Sequence, residues 1–267
     1  MINGMKFDMH CHTKEGSLDG KVPVEQFVDI LIEKGYDGML VSDHDSYNGY
    51  RAWKRNPCCQ RKQDFVVLRG IEYDTIDAGH ILVIMPEDVK LPILELRGLP
   101  LQFLIKIVHK HGGILGPAHP CGVKYMSIFN TRKHRRRPEI MEQLDFIEGF
   151  NACEDPESNE KAREIAAQFG KPAFGGSDAH KLDCIGMGAT EFAERVTSES
   201  ELIALVKEKG YEACTCGGEY YQHTTKKKIG RLNEVLVHSF WLYNHMGSMW
   251  KHHRRSLELK RMYIRLR

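Results

Sequence analysis

Among the eight cysteines of this 267-residue chain no Cys-x-x-Cys pair occurs, which argues against a structural zinc knuckle. An even cysteine count carries no disulfide framework in a chain this long, so the thiols are read as reduced. No apolar run approaches the ~18 residues of a membrane span, and no membrane partner is expected. Residues 1–5 lack the basic start and apolar stretch of a secretory signal, so the expected location is cytoplasmic. There is no excess of one charge: 38 Lys and Arg face 36 Asp and Glu, so net charge does not imply nucleic acid as a partner. No Gly-x-Ser-x-Gly elbow or Gly-rich phosphate loop is present, which leaves nothing to suggest a serine nucleophile or a nucleotide-cradling loop.

What the sequence does have is an ordered series of His/Asp/Glu motifs. It begins with Asp8-Met9-His10-Cys11-His12 and continues with Ser42-Asp43-His44-Asp45 and Gly70-Ile71-Glu72, with His80 close behind. Pro117-Ala118-His119-Pro120 and Phe174-Gly175-Gly176-Ser177-Asp178-Ala179-His180 complete it. Six of the 14 histidines fall in these motifs. Imidazole with carboxylate suits zinc, manganese and iron. A lone His-x-His is most often a solvated or core pair, whereas five such motifs at expected strand ends point to a metal centre.

Residues two apart on a strand share a face, so His10 and His12 can reach one ion. Asp8 is expected on that face behind them, accepting an imidazole N–H. Asp178 and His180 repeat the spacing. Glu72 ends a run that reads as buried, where an unpaired carboxylate is costly and a bridge between two cations removes the cost.

Short apolar strands alternate with amphipathic stretches. Strands are expected at residues 6–10, 38–42, 64–72, 80–84, 114–116, 145–150, 172–176 and 211–215, the fourth hairpinned to the third. Helices are expected at 24–34, 99–111, 159–169 and 200–209, the first three stopped by glycine. Repeated strand-then-helix units predict an α/β fold with a parallel sheet, open or closed into a barrel, and the motifs fall just after strands, where such folds place their sites. From Lys226 onward no strand is expected, and one or two terminal helices are.

The motif set, with Ser17-Leu18-Asp19-Gly20 added, resembles the PHP family, the polymerase and histidinol phosphatase metal-dependent phosphoesterases, from about residue 6 to about residue 215. The resemblance implies a distorted (β/α)7 barrel and a centre of up to three divalent ions, manganese, zinc or iron. On the family pattern His10, His12, Glu72 and Asp178 take a first ion. Glu72 bridges to a second ion held by His80 and His119. Asp19, His44 and His180 take a third. Catalysis would rest on His10, His12, Glu72, Asp178 and His180. The implied activity is hydrolysis of a small phosphate ester, a phosphomonoester or a nucleotide-type phosphodiester, by a metal-bridging hydroxide. The expected organisation is a PHP domain at residues 1–220 with a C-terminal helical extension at 221–267.

The interval between His80 and His119 is too short for the helical insertion that nucleotide-cleaving relatives often carry, so substrate contacts are expected from the loop after His119. Lys124, Arg132 and Arg135 are the candidates for phosphate contact, since Arg forks suit phosphate oxygens. A small phosphorylated substrate is the expected partner. The C-terminal extension is expected to act through packing or self-association into a homo-oligomer. Two other readings stand beside this one: a metal-dependent amidohydrolase-like hydrolase, and a non-catalytic barrel module binding nucleic acid or protein.

Overall fold

The computed structural model describes residues 4–57, 62, 64–122 and 126–222, together with Val235, Ser239, Leu242, Tyr243 and Met246. Nine strands occur among them: β1 Met5–Cys11, β2 Gly38–Val41, β3 Val66–Asp74, β4 His80–Ile84, β5 Ile114–Pro117, β6 Ile147–Asn151, β7 Ala173–Gly176, β8 Gly188–Phe192 and β9 Cys214–Gly218. The helices are α1 Val24–Glu33, α2 Asn48–Arg55, α3 Leu101–Lys110, α4 Pro156–Gln168 and α5 Glu199–Lys209.

Seven strands form a curled sheet in the order β5-β4-β3-β2-β1-β8-β9, and β6 and β7 form a parallel pair. That pair spans the opening between the two flanks of the large sheet. Asp145, just before β6, donates its backbone N–H to Leu115 O on β5 at 2.8 Å and receives the Leu115 N–H on its carboxylate at 2.9 Å. Beyond β7, Asp178 N donates to His10 O at 2.8 Å and His12 N to Ala179 O at 3.2 Å. The result is the expected distorted barrel.

The parallel sheet expected from strand-then-helix alternation is only partly realised. β1, β2 and β3 are parallel, but β4 is antiparallel to both β3 and β5, and β8 is antiparallel to β1 and β9. Only five residues join β3 to β4, and a connection that short cannot make a parallel crossover. Strand β8 and helix α2 had no sequence signal. β8 opens on a glycine and carries a charged Glu191, and α2 buries only Gly49 and Trp53. Two helices begin earlier than the apolar pattern implied because caps set their starts. The Asp155 carboxylate accepts the Ser158 N–H with Pro156 in the first turn, and the Ser198 hydroxyl accepts the Glu201 N–H. The expected last strand at 211–215 starts later, at Cys214, after a 3-10 turn. The C-terminal helices lie outside the described residues, except for the five isolated positions named above, which are helical and exposed.

The barrel interior has an apolar floor. Phe7, Leu40, Leu68, Leu82, Ile84, Ile114, Phe146 and Phe174 belong to one buried cluster. Phe146 stacks on Phe174 at 4.3 Å between ring centroids, and Phe7 meets Phe192 edge-on at 5.3 Å. Two other clusters lie under the helices: Ile71, Ile81 and Val83 against α3, and Met39 and Val41 against α1. Polar residues occupy the other end of the interior. Along β3, Leu68 packs in the floor while Glu72, four residues on and on the same face, stands above it.

Closure is tight where β7 meets β1. A Cβ placed on Gly176 would lie 2.4 Å from the His10 Cβ and 2.5 Å from its backbone N, so glycine is what lets the two strands touch. Gly176→Ala should therefore destabilise the protein by about 1–3 kcal/mol, the usual cost of overpacking. It should also disturb His10. Chemical denaturation checks the first effect, and a variant with unchanged midpoint would contradict it.

Candidate metal centre

The histidine motifs converge because each sits where a strand runs out at the same end of the barrel. His10 and His12 reach the interior by a break in strand alternation. Phe7 pairs with Gly38 and Asp8 with Met39, but the next pair is Cys11 with Val41, so β1 holds one residue more than β2 over this stretch. Such a bulge re-aims the residues that follow it. It also corrects the expectation for Asp8. That carboxylate does not accept an imidazole N–H. Its oxygens take backbone N–H groups instead, from Ser177 at 2.8 Å, His10 at 3.3 Å and Gly186 at 3.4 Å, tying the ends of β1 and β7 together.

Backbone strain marks the same rim. Asp45, His119 and Asp178 are the non-glycine residues with positive φ among those described, at 46°, 31° and 51°. For side chains larger than glycine this conformation is uncommon and costs energy, and it persists where surrounding contacts impose it. Asp178 is held by its bond to His10 O, and His119 N donates to Glu148 Oε2 at 2.5 Å.

Glu72 stands at the middle of the cluster and its two oxygens divide the imidazoles between them. Oε2 lies 3.4 Å from His10 Nε2, 3.2 Å from His12 Nε2 and 3.1 Å from His44 Nδ1. Oε1 lies 2.8 Å from His80 Nδ1 and 3.2 Å from His119 Nε2. Asp178 Oδ1 stands 3.3 Å from His12 Nε2 and 3.7 Å from His10 Nε2. Asp19 Oδ2 stands 3.3 Å from His180 Nε2 and 3.8 Å from His44 Nε2. All nine residues named from the sequence as candidate ligands are thus brought together. Sets of three donor atoms lie within 4.8 Å of one another in His10/His12/Asp178, Glu72/His80/His119, His12/His44/His180 and His44/Asp74/His80.

The far nitrogens of four imidazoles are held from outside. His10 Nδ1 meets Glu148 Oε1 at 2.7 Å, His12 Nδ1 the Ser17 hydroxyl at 3.2 Å and His119 Nδ1 the Ser127 hydroxyl at 3.3 Å. His180 Nδ1 donates to the Asp178 carbonyl at 2.9 Å. A partner that takes up the outer nitrogen fixes both ring orientation and tautomer, and leaves Nε2 turned inward. Ser17 also donates to Asp43 at 3.0 Å and accepts the His44 N–H at 3.1 Å, while Asp43 receives the Thr13 N–H at 2.6 Å. Asp43 thereby anchors the loop that carries Asp19. Four of these groups were not singled out from the sequence: Glu148, Asp74, Ser127 and Asn151, whose amide donates to both Glu148 and Asp178 at 3.2 Å. Glu148 could have been found by the signal that found Glu72, a lone carboxylate in an apolar strand between Ile147 and Phe150.

The donor set fits divalent cations. His10 Nε2 and His12 Nε2 face each other at 3.0 Å, both buried. His44 Nδ1, both His80 ring nitrogens and Asp74 Oδ1 are buried without a well-aligned hydrogen bond, although opposing atoms approach within 3.1 Å. Proximity without alignment suits ions better than hydrogen bonding. In the protein alone, protons take the place of cations. Burial opposes charge on His12 and His80, but Asp178 and Glu72 lift His12 to about 9, and Glu72 and Asp74 lift His80 to about 10. His10 is raised well above its ordinary value against burial by Glu148 and Glu72. Burial keeps His44 neutral, with its value lowered to about 3. Glu72 is likewise buried, yet the surrounding imidazoles His80, His10 and His44 hold it well below the usual carboxylate range.

Two of the substrate candidates, Arg132 and Arg135, lie apart from this cluster. Lys124 lies outside the described residues. Arg132 and Arg135 are exposed on an open groove of about 650 Å³ formed with Lys133, Arg136 and Arg137, and neither bonds to the metal-type cluster. Arg135 donates to the Asn130 carbonyl, at 3.3 Å.

Residues 8–172 match the family described as PHP domain, and residues 156–209 match the one described as PHP-associated. The chain belongs to the PHP family. With membership comes the family's class of activity, metal-dependent hydrolysis of ester bonds. Among curated proteins, none matches the sequence. Solved structures share the PHP fold. PsfC from Pseudomonas syringae PB-5123 is 16% identical with a TM-score of 0.61, over 84% of this chain and 94% of that one. A two-domain Bacteroides vulgatus protein containing a predicted PHP-like metal-dependent phosphoesterase is 16% identical with a TM-score of 0.56, over 82% of this chain and 66% of that one. Endonuclease Q, in complex with an abasic duplex, is 16% identical with a TM-score of 0.54, over 79% of this chain and 57% of that one. No helix among the described residues is long and apolar enough to cross a membrane.

Because the same nitrogens hold protons or metal, metal uptake should release protons. His12 and His80 stay protonated up to about 9 and about 10. Apparent metal affinity should therefore rise through pH 6–8, roughly tenfold per pH unit for each proton displaced. Chelator competition at several pH values measures this, and a flat profile would contradict it.

Proposed function

We propose that the chain hydrolyses a small phosphate ester, monoester or nucleotide-type diester, at a centre of three divalent ions. The observation that carries this reading is the division of Glu72. One carboxylate oxygen faces His10, His12 and His44, and the other faces His80 and His119. That is the arrangement a carboxylate needs to serve two cations at once. His10, His12, Glu72 and Asp178 would hold the first ion, Glu72, His80 and His119 the second, and Asp19, His44 and His180 the third. Manganese, zinc and iron all suit such a mixed imidazole and carboxylate set. Bound ions would supply an activated water and neutralise charge on the phosphoryl and leaving oxygens.

The chain's own residues do the rest. Glu148, Ser17 and Ser127 keep three imidazoles turned inward, so the donor set does not reorganise on loading. Asn151 holds Glu148 and Asp178 in one register. Asp19 and His180 are the outermost members: the Asp19 side chain is 58% exposed and that of His180 28%, against 1% for Glu72. They stand where a substrate would enter, and a catalytic role for His180 fits that position. The loop 126–137 starts at the centre, where Ser127 meets His119, and ends in the basic groove. We assign Arg132 and Arg135, with Lys124, to contact with the substrate's phosphate. The same reading divides the chain into a PHP domain at 1–220 and a helical extension at 221–267 that serves self-association, in the cytoplasm.

Elemental analysis should find three ions per chain. Glu72→Gln should lose metal and abolish turnover. Glu148→Gln, which leaves the ligand set intact, should cost roughly 10–100-fold. Normal turnover and metal content in Glu72→Gln would sink the bridging role.

Arg132→Ala and Arg135→Ala should act on affinity. A phosphate contact made equally in ground and transition state raises KM at constant kcat, by roughly tenfold for one charge-assisted hydrogen bond. A loss of kcat with KM unchanged would place these residues in the chemistry instead.

A further inference from the structure

A second cavity lies outside the barrel, between α2 and the segment 90–95. It measures about 380 Å³, within the roughly 300–1,000 Å³ usual for small-molecule sites. It does not open from the metal centre. Arg69, which lines it, is three residues before Glu72 on β3 and therefore points to the opposite face of the sheet.

Its charge is lopsided. Arg51, Lys54, Arg55, Arg69 and Lys90 line it, against the single carboxylate of Glu95. Glu95 is already engaged, taking both Arg51 Nη atoms at 2.6 Å. Lys54, Arg55 and Lys90 are exposed and pair with no carboxylate among the described residues.

Arg69 is the unusual member. It is only 7% exposed, and among the described residues no carboxylate closes an ion pair with its guanidinium, the Glu199 carboxylate taking its backbone N–H instead. Glu199 and Glu87 sense its charge without reaching hydrogen-bond distance of the guanidinium. Its Nη2 is spent on the Pro86 and Val89 carbonyls, at 2.6 and 2.8 Å. Its Nε is buried with no hydrogen-bond partner among the described residues. A buried guanidinium whose charge no carboxylate pairs is costly unless an anion offsets it.

Aromatic and apolar surface makes up the remaining wall. The Tyr47 ring is flanked by the guanidinium carbons of Arg69 at 5.4 Å and Arg51 at 5.9 Å. Tyr50, Leu91 and Pro92 extend the wall. Cations suit a phosphate, since Arg forks match its oxygens. Rings lined with guanidinium suit a planar group.

We propose that this cavity binds a phosphorylated aromatic anion of nucleoside monophosphate size, at a site separate from the metal centre. The phosphate sits between Arg69 and the exposed cations, and the planar base lies along the tyrosine and proline wall. The proposal does not depend on the trinuclear reading, because none of its residues belongs to that cluster.

The test is a calorimetric titration of the full-length protein with adenosine 5′-monophosphate, inorganic phosphate and adenosine. Arg69→Ala could unfold the chain by freeing the Pro86 and Val89 carbonyls. The deciding variant is therefore Lys54→Glu combined with Lys90→Glu, two exposed positions. Saturable binding of the nucleotide is expected, at least tenfold weaker in the double variant and at least tenfold weaker for phosphate or adenosine alone. Hydrolysis of a generic phosphate ester without nucleotide should be unchanged in the double variant. Nucleotide binding that ignores the charge reversal would place it at the metal centre and overturn the proposal. Absence of saturable binding into the millimolar range would overturn it too. Equal affinity for inorganic phosphate and nucleotide would reduce the site to a bare anion cradle and overturn the aromatic part.

Discussion

A single buried carboxylate, Glu72, sets the terms for the upper half of this barrel. It is 1% exposed and stands among five imidazoles. A charge so placed is stable only if positive charge surrounds it, and the histidines can supply that as imidazolium or through cations. The requirement runs both ways. Burial alone would strip the imidazoles of protons, and the carboxylates Glu72, Asp178, Glu148 and Asp74 restore them. Carboxylates and imidazoles thus hold each other charged within the cluster.

That balance depends on strand geometry more than on the ligands themselves. The extra residue in β1 turns His10 and His12 inward while Asp8 turns away to bind the backbone at the end of β7. Gly176 lets β7 approach β1 closely enough for this, and strained backbone at His119 and Asp178 finishes the aim. Bulge, glycine and strain are each unfavourable or neutral for the sheet. Their concentration at one end of the barrel fits the general pattern in which functional sites hold conformations that stability alone would not select.

Charge outside the barrel divides into two kinds. The groove of Arg132 to Arg137 is exposed and begins near His119, so its cations face water. The guanidinium of Arg69 is buried on the opposite face of β3 and packed against Tyr47. Screening weakens the first and hardly touches the second. The two surfaces therefore differ in how strongly salt weakens them.

The sequence by itself determined the inventory of candidate ligands, the barrel class and most element positions. His-x-His, Asp-x-His and a carboxylate ending an apolar run are local patterns, and local chemistry is what a sequence displays. It did not determine the strand directions, the role of Asp8, or the partners Glu148, Asn151 and Ser127. A bulge is invisible to period-two reasoning, so Asp8 was assigned to the wrong face. β8 opens on Gly188 and carries a charged Glu191, so no apolar run registered. Glu148 lies 138 positions from the imidazole it orients, and a hydrogen bond across that distance exists only once β6 and β1 line the same barrel. Arg69 reads as one more charged residue in a strand, and only the folded chain gives it burial without an ion pair. Tertiary structure decided these features because each is a contact between elements that share no local sequence.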